Sequence, residues 1–342
     1  MLSSARSIEE ETLMLRVLFF CMAVVAASSV AAEPIKIGVV GVNAFAPVYV
    51  AQERGYFAAE GVPAELVYFD AAAPVAVATV SGAIDFGVAA VTAAFYNLAG
   101  QGELKIIAGA AHEVPGFHVQ AFLVSKKADA EGLKSPKDFP GHSFGLTTAG
   151  APPVYVVGGI LAAKYGFDYG TIKVLPLQSI PNINTALTGG AADFTSVSLL
   201  PGMLPLIERG DIKLMGWVGD LAPWQFGIVF TSTKAADTRH DTVERFLRAY
   251  RKGAHDYHDA LTTADGKPKD GSAADMMLGI LAKYTKQTIE QVKLGVPYLD
   301  GEGRVDVKDV LNQVKFYKSR NLVKGDIDAA SIVDQRYVIA LP

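Results

Sequence analysis

From Ile35 onward the chain alternates short, β-branched apolar runs with longer stretches of helical spacing. IKIGVV, beginning at Ile35, has the pattern of a strand covered on both faces in a parallel sheet. A polar break follows. Pro47 then suits the first helical position, where a missing N–H costs nothing, and Gly55 suits a helix stop. Glu65 to Phe69 reads as a second strand, and a second helix leads to a third strand beginning near Phe86. This β-α-β-α-β order predicts a doubly wound α/β layer that binds its ligand at the carboxyl ends of its strands. Those ends are Val42 to Ala46, Asp70 to Pro74 and Ala89 to Ala93.

The pattern recurs downstream. The run from Ala76 aligns without a gap on the run from Asn184, placing Gly82 on Gly190, Asp85 on Asp193, Phe86 on Phe194, Gly102 on Gly210 and Lys105 on Lys213. Two similar βαβ lobes explain the match economically. The second runs from about Leu133 to about Gly219, with strands over His142 to Thr147, Ile172 to Leu177, Asp193 to Ser196 and Ile212 to Val218, and with Pro152-Pro153 opening a helix. Val119 to Ser125 and Gln225 to Thr231 read as extended crossings between the lobes. Beyond them the spacing predicts helices over Thr242 to Ala260, Ala273 to Tyr284 and Val307 to Lys318, the last capped by Asp306. The expected fold is therefore α/β, two Rossmann-like lobes joined by a two-strand hinge, with a helical C-terminal segment. Lobe 1 comprises residues 33–122 and 227–342, and lobe 2 residues 123–226. Hinge-linked lobes around a cleft are a geometry of ligand closure.

Composition narrows the classes. With 342 residues, 50% of them hydrophobic and 19% charged, the chain can bury two cores, and a net charge of −4 without a basic run gives nucleic acid no electrostatic footing. Residues 1–32 read as a cleaved secretory signal peptide: Arg16 supplies the charge, Val17 to Ala27 the apolar core, and Ser28 to Ala32 the small cleavage residues. The acidic segment before them places the expected translation start at Met14. The apolar run falls short of the roughly 20 residues a membrane span needs. Cys21 lies in this segment and is the sole cysteine, so the mature chain has no thiol chemistry, disulfide or Cys-based zinc site.

No nucleophile elbow, zincin motif, P-loop or dinucleotide fingerprint is present. His255 and His258 share helical spacing, but Asp256 and Asp259 beside them make a solvated face the simpler reading, and neither metal nor cofactor is expected. What remains are the strand-end loops, rich in small, hydroxyl and amide residues that leave N–H groups open at helix starts. The candidate ligand-binding residues are Asn43, Ala44, Phe45, Asp70, Ala71, Val91, Thr92, Thr148, Ala149, Gly150, Ala151, Ser179 and Ser198. Phe45, Tyr155, Trp217 and Trp224 are aromatic candidates suited equally to a core, and His118 suits either the cleft or a structural place. The near absence of cations in these loops points to a neutral or singly charged organic ligand, because dianions usually recruit Arg. An enzyme on this fold would need a titratable pair in the cleft; Asp70 with His118 is the one pairing to test.

The segments APVYVAQERGYFAAEGVPAELV, VSGAIDFGV, LKSPKDFPGHSFGL and ALTGGAADFTSV resemble periplasmic solute-binding proteins of ABC importers, in the SsuA/TauA/NMT1-like branch that holds sulfonate, taurine, nitrate and thiamine-precursor receptors. The resemblance spans roughly Ile35 to Tyr250. It implies a type II periplasmic binding fold, a monomeric receptor in the periplasm, capture of a small organic solute (carboxylate, sulfonate, amide or heterocycle), and delivery to an ABC permease in the inner membrane. It also places the ligand at the loops around Asn43–Phe45, Ala71, Val91–Thr92, Thr148–Ala151, Ser179 and Ser198. Two departures stand out. SVSLLP stands where the family's second-lobe loop usually carries a "wxP" or "eP" element, with Leu200 instead of a carboxylate before Pro201, and the cysteine-rich motif of the thiamine-precursor synthases is absent, which argues against that enzymatic activity. A secreted enzyme on the same fold, or a ligand sensor for a membrane signalling protein, is the alternative.

Overall fold

The computed structural model describes residues 33–198, 203–325 and 327–342. The signal-peptide reading, and Leu199 to Pro201 of the loop after Ser198, lie outside the described residues. Among those described, the strands are β1 (Ile35–Val40), β2 (Ala64–Phe69), β3 (Phe86–Ala90), β4 (Leu104–Gly109), β5 (Ala111–Glu113), β6 (Gln120–Ser125), β7 (Ser143–Leu146), β8 (Lys173–Pro176), β9 (Phe194–Ser198), β10 (Ile212–Trp217), β11 (Trp224–Gln225), β12 (Gly227–Ser232) and β13 (Tyr298–Leu299).

They form two five-stranded sheets, ordered β2-β1-β3-β12-β4 and β8-β7-β9-β6-β10. Each has three parallel strands followed by an antiparallel pair, and in each the fourth strand comes from the other half of the chain. Thus β12 runs antiparallel to β3 and β4, and β6 antiparallel to β9 and β10. The two extended stretches read from the sequence are therefore interior strands of the two sheets. The crossings themselves run side by side at β5 and β11, where Glu113 faces Trp224 and His112 faces Gln225. With β13 they make a third, small sheet.

The alignment of the two halves has a physical counterpart. The main chain of Asp85 bonds to Lys36 and that of Asp193 to Ser143, N–H to carbonyl, at 2.8 and 3.0 Å. The Asp85 carboxylate accepts the Lys36 N–H at 2.8 Å, and the Asp193 carboxylate accepts the Ser143 N–H at 2.7 Å. Each aspartate fixes the register of a third strand against a first strand, which is why the Asp-Phe pair recurs in the sequence.

Pro47 sits in the first turn of the helix Ala46–Glu53, and Gly55 follows in the left-handed region (φ 70°) that glycine enters freely. The helix His240–Leu261 buries Val243, Phe246, Leu247, Tyr250, Ala254 and Tyr257, the spacing of one apolar face. It approaches Ala46–Glu53 so closely that a Cβ on Gly253 would lie 2.3 Å from the Pro47 carbonyl oxygen. Phe246 stacks on Phe86 of β3 with centroids 3.9 Å apart. The helices Ser272–Thr285 and Val307–Ser319 lie where the periodicity places them, and Asp306 caps the latter by accepting the Asp309 N–H at 2.8 Å. The helix that Pro152-Pro153 opens has a π-helical centre over Val156–Leu161, which spacing does not reveal. Among the described residues no helix is long and apolar enough to cross a membrane.

Candidate functional site

At the carboxyl ends of the parallel strands lies a cavity of about 1200 Å³. The first sheet contributes the end of β1 with Phe45, the end of β2 with Asp70 to Pro74, and Ala90 and Thr92 after β3. The second sheet contributes Leu146 to Thr148 after β7, Gln178 to Pro181 after β8, Ser196 to Ser198 of β9, and Gln120 at the start of β6. Tyr284, Thr285 and Lys286, at the end of the helix Ser272–Thr285, reach the same space. Asp70 and Lys286 are the charged residues of the lining, and both are exposed. Gln178 and Lys286 hold left-handed backbone (φ 71° and 57°) without being glycine, a conformation that costs about 1 kcal/mol or more per residue and tends to gather at binding sites.

Several helices begin at this cavity. Thr92 caps Ala93–Gly100 by accepting the Phe95 N–H, and Ser179 caps Ile180–Thr188 by accepting the Asn182 N–H. Ala71, before Ala72–Ser81, offers no side-chain cap. Of that first turn the Ala72 and Ala73 N–H groups remain for an acceptor in the cavity, Pro74 having none. Two further polar groups lie deeper. Gln120 is 4% exposed and Ser196 fully buried, and neither the Gln120 Oε1 nor the Ser196 Oγ has a hydrogen-bond partner. The Gln120 main chain is held by Glu113, whose Oε1 accepts its N–H at 2.9 Å; burial pushes the Glu113 carboxyl well up, against the N–H bonds it receives.

Residues 42–260, more than half of the chain, match the family model described as NMT1/THI5 like. The chain belongs to the NMT1/THI5-like family. No curated protein matches it. Among solved structures, this family member is similar to the alkanesulfonate-binding protein SsuA from Xanthomonas axonopodis pv. citri bound to MOPS: TM-score 0.69 and 18% identity, over 89% of this chain and 99% of that one. It is similar to the periplasmic aliphatic sulphonate binding protein SsuA from Escherichia coli at TM-score 0.66 and 15% identity, over 91% of this chain and 94% of that one. The periplasmic nitrate-binding protein NrtA from Synechocystis PCC 6803 matches at TM-score 0.63 and 15% identity, over 87% and 84%. The fold is that of periplasmic binding proteins.

In this NMT1/THI5-like chain Phe45, Asp70, Ala71, Thr92, Thr148, Ala151, Ser179 and Ser198 line the cavity. The other sequence candidates do not line it, and most have structural partners. The Asn43 Nδ2 donates to the Gly295 carbonyl at 2.9 Å, tying the turn after β1 to the C-terminal region. Ala44 and Val91 are buried in the core. Ala149 is exposed, and Gly150 packs so tightly that a Cβ there would lie 2.6 Å from that of Ala93. His118 and Trp217 stack on each other with centroids 4.1 Å apart, and burial pulls the His118 imidazole down. Asp70 and His118 are thus not brought together as cavity partners. Tyr155 donates to the Asp309 Oδ1 at 2.7 Å.

Asp309 also accepts the Gln225 N–H and the Gln313 Nε2 on its Oδ2, at 2.9 and 2.8 Å. This network joins the C-terminal helix to the crossing at β11 and to the helix after β7. Burial pushes the Asp309 carboxyl up, against those three hydrogen bonds. His258, one of the sequence's metal candidates, spends its Nδ1 on the Leu299 carbonyl at 2.8 Å, and no group of three His, Cys, Asp or Glu is placed to hold a metal among the described residues.

Sequence reasoning passed over Gln120, Ser196, Tyr284 and Lys286. Gln120 sits in the apolar run VQAFLVS, and Ser196 in FTSVS, where consecutive Thr195 and Ser196 place a hydroxyl on each face of a buried strand. Thr195 satisfies its hydroxyl on the Gly145 carbonyl at 2.7 Å; Ser196 does not. That doublet was the available signal.

Proposed function

We propose that the chain is a periplasmic solute-binding receptor of an ABC importer, and that it captures a small organic solute by closing two lobes, residues 33–122 with 227–342 and residues 123–226, and delivers it to a membrane permease. The observation that carries this reading is the cavity of about 1200 Å³ lined by strand ends of two sheets of one topology. The paired crossings at β5 and β11 supply the hinge. The similarity to sulfonate-binding and nitrate-binding proteins supports import of a small polar or singly charged molecule. A dianion is disfavoured, because the lining holds no Arg and its one Lys sits exposed.

In this reading the protein is not an enzyme: the one acid–base pairing the sequence offered is split between the cavity and a stack outside its lining. Export through a signal peptide at residues 1–32 and action as a monomer belong to the same proposal. A solute that touches both sheets shifts the population toward the closed form by its differential affinity. Thermal shift against a library of carboxylates, sulfonates, amides and heterocycles tests the reading. At 100 times its Kd a true ligand adds about 2.7 kcal/mol of stability, a clear rise in Tm. If no member raises Tm, the receptor reading fails; turnover of a bound member would replace it with the enzyme.

A further inference from the structure

We infer that Gln120 and Ser196 read the solute, and that the group they read is a neutral amide-type function, such as a primary amide, lactam or urea, carried on an apolar body. This rests on the receptor reading of the same cavity. The two side chains come from adjacent strands, β6 and β9, and both line the cavity. Each is more than nine-tenths buried, and the Gln120 Oε1 and Ser196 Oγ lack hydrogen-bond partners. Gln120 faces Ser198 across the two strands and Ser196 lies one pair further on, on the same face, so the two are diagonal neighbours. A buried polar atom without a partner is destabilising, and a fold that keeps two on one face of the cavity holds them for something that satisfies them.

The chemistry of that partner follows from what surrounds the pair. A carboxamide side chain offers a carbonyl and an NH₂ side by side, and its best complement is another group with a donor beside an acceptor; the Ser hydroxyl can serve either way. A carboxylate or sulfonate offers acceptors alone. The Gln120 NH₂ and the Ser196 hydroxyl could donate to it, but it would leave the unpartnered Gln120 carbonyl without a donor, on a strand whose first N–H is already held by the buried Glu113 carboxyl. No cation stands there to repay its desolvation, since Lys286 is exposed. The rest of the lining is mainly apolar, with Phe45, Val42, Ala71, Pro152, Ile180 and Phe226 among it, and suits a hydrocarbon or ring body.

Benzamide, benzoate and benzenesulfonate share one body and differ only in the head, so calorimetric titration of the three against the full mature chain tests the inference. Benzamide is expected to bind at least about tenfold more tightly than either anion, and Gln120→Leu to weaken it by about tenfold or more. In the absence of any ligand, Gln120→Leu is expected to raise Tm by about 1–3 °C, because it removes an unsatisfied buried group. Equal or tighter binding of an anion, no binding by any of the three, or a lower Tm for the unliganded variant would each overturn the assignment. The receptor reading is decided separately by the wider library: a sulfonate hit insensitive to Gln120→Leu would sink this inference and leave that reading standing.

Discussion

Asp85 and Asp193 occupy the same place in the two sheets, each accepting an N–H from the first strand of its own sheet. Around this shared frame the sheets differ. The first is backed by the helix His240–Leu261 and meets the cavity largely with alanine, valine and phenylalanine. The second is backed by the short helix Ile180–Thr188, and beside apolar residues such as Leu146, Pro152 and Ile180 it meets the cavity with Thr147, Thr148, Gln178, Ser179, Gln120, Ser196 and Ser198. Two sheets of one topology thus present a largely apolar wall and a wall that carries most of the cavity's polar side chains. The first suits contact area and the second suits recognition, because directional hydrogen bonds discriminate where apolar surface does not.

The C-terminal helix Val307–Ser319 breaks the symmetry most strongly, since Asp309 bonds to elements on both sides. Asp309→Ala strands the Tyr155 hydroxyl, the Gln225 N–H and the Gln313 amide, and is expected to cost about 3 kcal/mol or more in urea unfolding. A loss below 1 kcal/mol would mean that the two halves are held together elsewhere.

Asp85→Ala and Asp193→Ala probe the shared frame directly. Each is expected to destabilise by about 1–3 kcal/mol in the same assay. Losses differing by more than twofold would show that the alignment is geometric without being energetic. The second carries a pH signature. Burial pushes the Asp193 carboxyl up, but the Ser143 N–H and hydroxyl and the neighbouring His142 hold it below its ordinary range. A depressed carboxyl stabilises the fold above its unfolded pKa of about 3.9, and that stability is lost as pH falls through the lower folded value. Asp193→Asn is therefore expected to lose less stability than the wild type on acidification below about pH 4, measured by unfolding at successive pH values. An unchanged acid limb would contradict the assignment.

Much of this was legible beforehand. Pro47, Gly55 and Asp306 mark helix ends because proline, glycine and aspartate act through local backbone chemistry, and the repeated Asp-Phe pairs mark strands because the clasp they make is itself local to each half. Phe45, Asp70, Thr92 and Ser179 line the cavity because strand ends in such sheets converge there. Asn43, Tyr155 and His118 do not line it, and no local pattern could have told that. Their partners, Gly295, Asp309 and Trp217, lie far along the chain and are set by how the halves pack. Gln120 was hidden for the same reason: it opens a strand that crosses into the other half's sheet.

The smallest effects concern the helix starts. Ser179→Ala removes the cap of Ile180–Thr188 and is expected to cost about 1 kcal/mol, whereas Ala71→Ser, which can reach only the Ala73 N–H because Pro74 has none, is expected to gain less than about 0.5 kcal/mol. If the open first turn after Ala71 serves the solute, the same Ala71→Ser weakens binding of the library's best member. Gain in both stability and affinity would assign that turn no part in recognition.

Closure is the central claim, and small-angle X-ray scattering reads it. With the library member that gives the largest Tm rise added to saturation, the radius of gyration of residues 33–342 is expected to fall as the two walls meet. A radius unchanged at saturation would contradict the account.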